Sequence, residues 1–217
     1  MKIQNQQNLK SNNEKMILEI IRNNNEKDIS QADIVKATKM SPTSISRIVE
    51  NLITKGLVKK KDLINTDKVG RKGVKLSLVA ESVITVGVSI DSDNLGICMV
   101  DFLGKIIASD IFTLQKKHYE PAEIISLICH MYQTLCEKVP LEAEDILAIG
   151  ISCIGNINYE DGDIYFAPQF GWNHVKFGEM AQKALGKPVY MENDMKAAIM
   201  SVVHQERKYL KENITYL

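Results

Sequence analysis

An amide and a carboxylate that stand side by side could bind a hydroxylated ligand. The stretch "MENDMKAA" places Asn193 and Asp194 directly after a short apolar run. A carboxylate accepts several hydroxyl hydrogen bonds with charge assistance, and an amide both donates and accepts, so the pair suits a sugar. The residues alone favour the alternative, in which Asn193 or Asp194 only caps the helix that begins here.

A polar turn between two apolar runs is a second place where chemistry is conceivable. The stretch "VSIDSDNLGICMVD" predicts a β-hairpin, and such a turn can bind phosphate when glycines let its backbone approach closely. Here the turn carries Asp91 and Asp93, and no glycine precedes Gly96. A carboxylate a few Å from a phosphate costs on the order of kcal/mol, which predicts poor nucleotide binding. The simpler interpretation, a purely structural turn, agrees with this expectation.

A third pattern is typical of nucleic-acid recognition. Ser30 and Asp33 predict a capping box for the helix "QADIVKAT", and Ser41 and Pro42 predict the start of the helix "PTSISRIVENLITK", which Gly56 should end. This arrangement is a helix-turn-helix. The side chains that suit bases and phosphates are Ser41, Thr43, Ser44, Ser46, Arg47 and Asn51. The alternative is a solvated polar face used for protein contacts.

Two short runs after this helix predict a winged version of the motif. "LVKKKDLI" and "VKLSLV" should form two strands joined by the basic tip "GRKG", which could reach a minor groove. The predicted phosphate contacts are Lys59, Lys60, Arg71 and Lys72.

The charge distribution agrees with a DNA-binding head on a different kind of body. Residues 1–80 contain 16 Lys and Arg against 8 Asp and Glu, whereas residues 81–217 contain 11 against 19. We therefore expect a winged helix-turn-helix domain at 1–80 and a second domain at 81–217. The four cysteines lie in apolar runs without metal-ligand spacing, and no signal or membrane segment is evident, which predicts a cytoplasmic protein.

The elements that must position these residues indicate an α/β fold. Met16, Ile17, Ile20 and Ile21 predict one apolar face on a first helix, preceded by an Asn/Gln-rich mobile arm. The body is expected to follow the order βββαβ, a long loop over residues 156–175, then αβα. That order is typical of actin and ribonuclease-H-like lobes. Ser152 and Gly155 are weaker pocket candidates. Trp172 could stack on a sugar face, but a single tryptophan after a loop is more often a core residue, and we expect it to pack in the core.

Several motifs together resemble the ROK family, and most of all its repressor branch. They are "ISQADIVKATKMSPTSISRIVENLITKGLV", "GRKG", the hairpin, "GISCIG", "FAPQFGW" and "VYMENDMKAA". The resemblance implies a sugar-responsive DNA-binding regulator, a repressor of carbohydrate-utilisation genes, with a kinase-like but non-catalytic sensing domain. It places Asp194 at the position of the kinase base, Gln169 where an asparagine is usual in the sugar site, and Asp91 at the first glycine of the phosphate turn. The alternative is a ROK sugar kinase with an appended head.

The resemblance also implies parts that would follow residue 217. These are a second phosphate loop, a Cys/His zinc motif, and a histidine and a glutamate that complete the sugar site. We therefore expect an incomplete ROK domain that holds no cofactor or metal. The apolar surface left open should favour a homodimer or higher oligomer. The expected partners are double-stranded operator DNA and a sugar or sugar-phosphate effector, and no membrane.

Overall fold

The computed structural model describes residues 2–24, 29–61, 74–116, 118–140 and 145–205. The chain divides into two compact units, Met1–Ser82 and Val83–Leu217. We call the first unit the head and the second the body.

Within the described residues, the head combines the three predicted α-helices with a small antiparallel sheet, in which two strands were predicted and a third was not. The helices are α1 (Lys2–Asn23), α2 (Gln31–Thr38) and α3 (Pro42–Thr54). The strands are β1 (Ile29–Ser30), β2 (Val58–Lys61) and β3 (Lys75–Leu78), in the order β1-β3-β2. The expectation of a mobile arm at the start is wrong, because α1 already begins at Lys2.

Local caps fix where the helices of the head begin and end. Ser30 and Asp33 form the predicted capping box of α2, and the Ser41 side chain caps α3 with Pro42 in its first turn. Gly56, at φ +73°, follows α3 as predicted. The core contains Ile17, Ile21, Ile45 and Leu52, all fully buried. Met16 was predicted on the apolar face of α1, but it is 40% exposed, because the buried stripe follows the i, i+4 pair of Ile17 and Ile21.

The body is built on a mixed five-stranded sheet. Its strands are β4 (Ile84–Ile90), β5 (Asn94–Val100), β6 (Ile106–Thr113), β7 (Ile146–Cys153) and β11 (Val189–Asn193), in the order β11-β7-β4-β5-β6. Strands β4, β5 and β6 form the predicted antiparallel meander, while β4, β7 and β11 run parallel. The α/β fold class expected from the sequence is thus confirmed.

Three helices accompany this sheet: α4 (Pro121–Lys138), α5 (Phe177–Leu185) and α6 (Asp194–Gln205). Alternate residues of β4 and β5, such as Val88 and Ile97, share one apolar core with Ile124 and Ile128 of α4. Burying each such side chain contributes about 1.5–3 kcal/mol relative to exposing it. The other side chains of β4, β5 and β7 are mostly small.

A second, three-stranded sheet lies where the sequence predicted a loop, and that expectation is wrong. Its strands are β8 (Asn156–Ile157), β9 (Ile164–Ala167) and β10 (Trp172–Val175), paired antiparallel in the order β10-β9-β8. The strands have only two to four residues, so period-two alternation has no length in which to show.

Candidate functional site

The exposed side of α3 presents short hydroxyl groups and one guanidinium group. The Ser41 Oγ accepts the backbone N–H of Ser44 at 3.2 Å and lies 2.9 Å from the Ser44 hydroxyl. Thr43 and Arg47 are exposed, and Ser46 is half-buried. The start of α3 is also the positive end of the helix dipole, which favours nearby anions such as DNA phosphates.

Asn51 differs from the other predicted DNA contacts because its side chain already has a partner in the head. Its Nδ2 donates to Glu14 Oε1 of α1 at 2.8 Å. The other carboxylate oxygen of Glu14 accepts from Lys55 Nζ at 2.7 Å. Glu14 thus ties α1 to the end of α3. A base contact by Asn51 stays a prediction, and it would require this hydrogen bond to break.

The wing supplies exposed cations on one strand. Lys59 and Lys60 are exposed on β2, where they pair with Ser77 and Leu76 of β3. The predicted contacts Arg71 and Lys72 lie outside the residues that the structure describes.

The turn between β4 and β5 is a tight hairpin, as predicted. The backbone N–H of Asp91 donates to the carbonyl oxygen of Asn94 at 2.9 Å, and Asp91 Oδ1 accepts from the Ser92 N–H at 2.7 Å. Asp91, Ser92 and Asp93 are all exposed, and none has a positive φ. Two carboxylates therefore lie at the tip of a turn that does not use the conformations reserved for glycine.

At the carboxyl ends of the parallel strands, the structure brings Gly155, Asn193 and Asp194 together. Asn193 ends β11 and Asp194 begins α6. The Asn193 Nδ2 donates to the carbonyl oxygen of Gly155 and to Asp194 Oδ1, both at 2.9 Å. Burial, and secondly the charge of Asp194, raise the pKa of the neighbouring Cys153 thiol to about 12. The thiol is therefore neutral at physiological pH, and Asp194 supplies the charge here.

The other predicted sugar contact lies in a separate turn. Gln169 is exposed in the turn between β9 and β10, and within the described ranges no hydrogen bond joins it to Asn193 or Asp194. Trp172 is buried and stacks on Phe170 and Phe177, with ring centroids 4.6 and 5.4 Å apart. The expectation that Trp172 packs in the core is confirmed.

A cavity of about 600 Å³ lies beside this region. Ser152, a weaker pocket candidate from the sequence, lines it together with residues that the sequence analysis missed. Gly87, Gly150 and Tyr190 occupy one row across β4, β7 and β11, and Ser89, Ser152 and Glu192 occupy the next. Most of these residues line the cavity, together with Tyr159 and Met200. The alternation of Tyr190 and Glu192 along β11 could have indicated that both side chains lie on the same face of the sheet. Only the strand order shows which residues of β7 lie beside them.

Two kinds of feature are absent from the part of the chain that the structure describes. It contains no group of three or more His, Cys, Asp or Glu side chains that could hold a metal ion. In the same ranges, no helix is both long and apolar enough to cross a membrane.

Comparison with known proteins identifies the family to which this architecture corresponds. Residues 85–216 match the model of the ROK family. The chain belongs to the ROK family. Residues 8–64 match the model of the MarR family, in agreement with the helix-turn-helix of the head. The ROK match covers the five-stranded sheet, the hairpin and the Asn193–Asp194 pair.

Curated relatives of this ROK protein bear the names of repressors. The chain is 27% identical over 192 residues to a xylose repressor of Caldicellulosiruptor bescii. The matched region covers 88% of this chain and 47% of that protein. It is 23% identical to the DNA-binding transcriptional repressor Mlc of Escherichia coli, over 80% of this chain and 42% of Mlc. The chain thus spans about half the length of the curated relatives that it matches.

A known structure shares the fold. The crystal structure of a ROK family transcriptional regulator, a homologue of the E. coli Mlc protein, superimposes with a TM-score of 0.63 at 20% identity. The match covers 81% of this chain and 44% of that one. At this level of identity the likeness supports the fold alone.

Proposed function

We propose that the chain carries the DNA-binding head and the first part of the effector domain of a sugar-responsive transcriptional repressor. The observation that carries the proposal is the capped helix α3, which presents Thr43 and Arg47 outward from a helix-turn-helix head. The repressor names of the relatives support it. Such heads bind operator DNA as dimers, with one α3 in each of two successive major grooves.

The effector would bind at Asp194. One of its carboxylate oxygens accepts from Asn193, and among the described residues the second has no hydrogen-bond partner. A charged acceptor at the carboxyl ends of parallel strands lies where ligands bind in open α/β sheets. The name of the xylose repressor among the relatives favours a sugar or sugar phosphate.

The alternative, a ROK sugar kinase with an appended head, is disfavoured by the hairpin turn. Asp91 and Asp93 lie exposed where the family's kinases are expected to receive ATP phosphates. A carboxylate that lies a few Å from a phosphate repels it and weakens its binding. We therefore expect no ATP turnover with D-xylose, D-glucose or N-acetylglucosamine, and robust phosphorylation of any of them would refute this assignment.

DNA binding is tested by fluorescence anisotropy with duplexes from the promoter regions that flank the gene. Affinity should fall steeply between 50 and 200 mM salt, because bound DNA releases counterions. Arg47→Ala should cost about 1–3 kcal/mol in operator affinity, whereas Arg22→Ala, an exposed arginine of α1, is the charge-matched control. Equal losses for both variants, or affinity that is independent of salt, would contradict the proposal.

The division of labour is tested with Asp194→Ala. This variant should keep the operator affinity but lose the response to sugar, because the charged hydroxyl acceptor is gone. Asp110→Asn, a surface carboxylate 3.6 Å from Lys138, serves as the control in the body. Loss of DNA binding with an intact sugar response in Asp194→Ala would refute the assignment.

A further inference from the structure

The turn that joins α2 to α3 contains a residue in an unusual backbone conformation. Lys39 directly follows α2 with φ 58° and ψ 16°, in the left-handed region. Its backbone N–H donates to the carbonyl oxygen of Val35 at 2.9 Å, and the backbone N–H of Met40 donates to the Thr38 hydroxyl at 3.3 Å. These hydrogen bonds end α2 and hold the turn in one shape.

Lysine is an unfavourable residue for this conformation. At positive φ its Cβ crowds the backbone, whereas glycine has no Cβ and asparagine can compensate through local hydrogen bonds. The same head places Gly56, at φ +73°, after α3. Among the described residues, only Lys39 and His174 have a positive φ without being glycine. The lysine at this turn therefore lowers the stability of the head, and an observed strain of this kind points to a function.

The ammonium group of Lys39 is available to an external partner. The side chain is exposed, and it forms no hydrogen bond or ion pair with any residue in the described ranges. Between Asp33 and Glu50 the chain contains no acidic residue but three exposed cations, which are Lys36, Lys39 and Arg47. This segment includes the turn and the start of α3, and its charge favours a polyanion.

We propose that Lys39 contacts a DNA phosphate, and that this contact accounts for a lysine in the left-handed turn. The inference rests on the proposed function, in which α3 enters a major groove. In a helix-turn-helix, the helix before the recognition helix crosses the DNA backbone, so the turn between the two helices lies beside the phosphates at the edge of the groove. A compact charge on a flexible stem binds phosphate without reading bases. Lys39 therefore adds affinity and no sequence preference.

The role of the charge is tested with Lys39→Gln, which removes the cation but keeps a long side chain. At about 100 mM salt it should weaken binding to duplexes from the flanking promoter regions about fivefold to tenfold for each bound head. It should also reduce the steepness of log K against log salt by about 1 for each head. The same factor should be lost with a duplex of scrambled sequence, because a phosphate contact does not depend on the bases.

Two further variants serve as controls for the charge. Lys39→Arg keeps a cation at the turn and should bind DNA as the wild type does. Lys15→Gln removes an exposed lysine of α1 and should leave the affinity and its salt dependence within about twofold of the wild type.

The role of the strain is tested with Lys39→Asn in the 217-residue chain. Asparagine adopts the left-handed region more readily, so the midpoint of thermal unfolding of the head should rise by about 4 °C. DNA binding should nevertheless weaken as it does in Lys39→Gln. Lys36→Asn makes the same replacement at an exposed helical position of α2, where asparagine is the poorer residue, and should lower the midpoint.

The two hypotheses fail in different ways. If the wild type binds no duplex, or binds without dependence on salt, the proposed function fails and the Lys39 contact with it. If the wild type binds with the expected salt dependence but Lys39→Gln keeps its affinity and slope, the phosphate contact is refuted and the proposed function stands. A loss of stability in Lys39→Gln with unchanged DNA binding would assign the cation to the C-terminal end of α2 instead and overturn the proposal. A midpoint that does not rise in Lys39→Asn would overturn the claim that the lysine strains the turn.

Discussion

The indole Nε1–H of Trp172 donates a hydrogen bond to the backbone carbonyl oxygen of Tyr119 at 2.8 Å, in the interior of the body. The Tyr119 hydroxyl in turn accepts the backbone N–H of Gln115 at 3.1 Å, and the Leu114 N–H donates to the carbonyl oxygen of Asp93 at 2.8 Å. This chain of contacts links the small sheet, the segment before α4 and the hairpin turn. The structure thus connects two places that the sequence analysis treated separately.

Replacing Trp172 with Phe should therefore destabilise the body by about 2–4 kcal/mol. The variant leaves the Tyr119 carbonyl without its donor and removes packing between Phe170 and Phe177. Urea denaturation followed by far-ultraviolet circular dichroism measures the loss. His118→Ala removes a 3.2 Å hydrogen bond from an exposed side chain to the Phe170 carbonyl and should cost less than 1 kcal/mol. Equal losses of stability in the two variants would show that the buried indole hydrogen bond contributes no more than the exposed His118 bond.

Trp172 is also the single tryptophan of the chain, which makes it a probe of the body alone. Because it is only 4% exposed, its emission should lie at short wavelength in the folded protein and shift to longer wavelength when the body unfolds. A helix-destabilising change in the head, such as Ile45→Ala, should leave this fluorescence transition in place while the helical signal is lost earlier. A joint shift of both transitions would mean that the two units unfold together.

The elements that the sequence predicted correctly are those whose signals are local. Ser30 with Asp33, Ser41 with Pro42, and Gly56 mark helix ends through contacts within four residues, so the sequence reveals them directly. The three-stranded sheet over 156–175 was missed because its strands are stabilised by partners across turns, not by their own pattern. The row of Gly87, Gly150 and Tyr190 needed the strand order, which only the fold supplies.

The candidate site shows the same limit. The sequence motif identified Asn193 and Asp194 as candidates. It was compatible both with a sugar contact and with a helix cap at these two residues. The structure shows that the Asn193 oxygen bonds to the Lys196 N–H and that its nitrogen bridges Gly155 and Asp194. Gly155 is 38 residues away in the chain, so no local pattern could have indicated that contact.

Gly155→Ala should be one of the most damaging small substitutions in the body. Its positive φ disfavours a side chain, and the new Cβ would meet backbone atoms of Phe166 and Ala167, which cannot move aside cheaply. We expect a loss of about 2–4 kcal/mol in unfolding free energy, measured by urea denaturation. Gly104→Ala, with φ +86° and nothing within 4 Å, reports the backbone strain alone and should cost about 1 kcal/mol. A smaller loss at Gly155 than at Gly104 would contradict the predicted steric conflict.

Cys153 should resist alkylation in the native protein. Burial and the charge of Asp194 raise the pKa of its thiol to about 12, so the reactive thiolate is scarce at pH 8.5. Iodoacetamide labelling read by mass spectrometry should modify the half-buried Cys98 before Cys153. Since the thiol is more acidic in the unfolded chain, folding stability should also fall as the pH rises above about 9. Labelling of Cys153 at the rate of Cys98 would show that this part of the site opens readily.

The capping box of α2 should give the head a stability that depends on acid. Asp33 Oδ2 accepts from the Ser30 hydroxyl at 2.6 Å and from the Ser30 N–H at 3.1 Å, and these bonds hold the pKa of Asp33 below its usual range. A carboxylate with a lowered folded-state pKa stabilises the fold above its unfolded pKa, near pH 4, and this contribution disappears as the pH falls through the folded value. Ser30→Ala should cost about 1 kcal/mol at pH 7 and distinctly less at pH 3, measured by thermal unfolding of the head. Ser46→Ala, a half-buried hydroxyl with no role in a cap, provides the comparison, and its cost should not change with pH. If Ser30→Ala costs the same stability at both pH values, the contribution of the cap does not depend on the charge of Asp33.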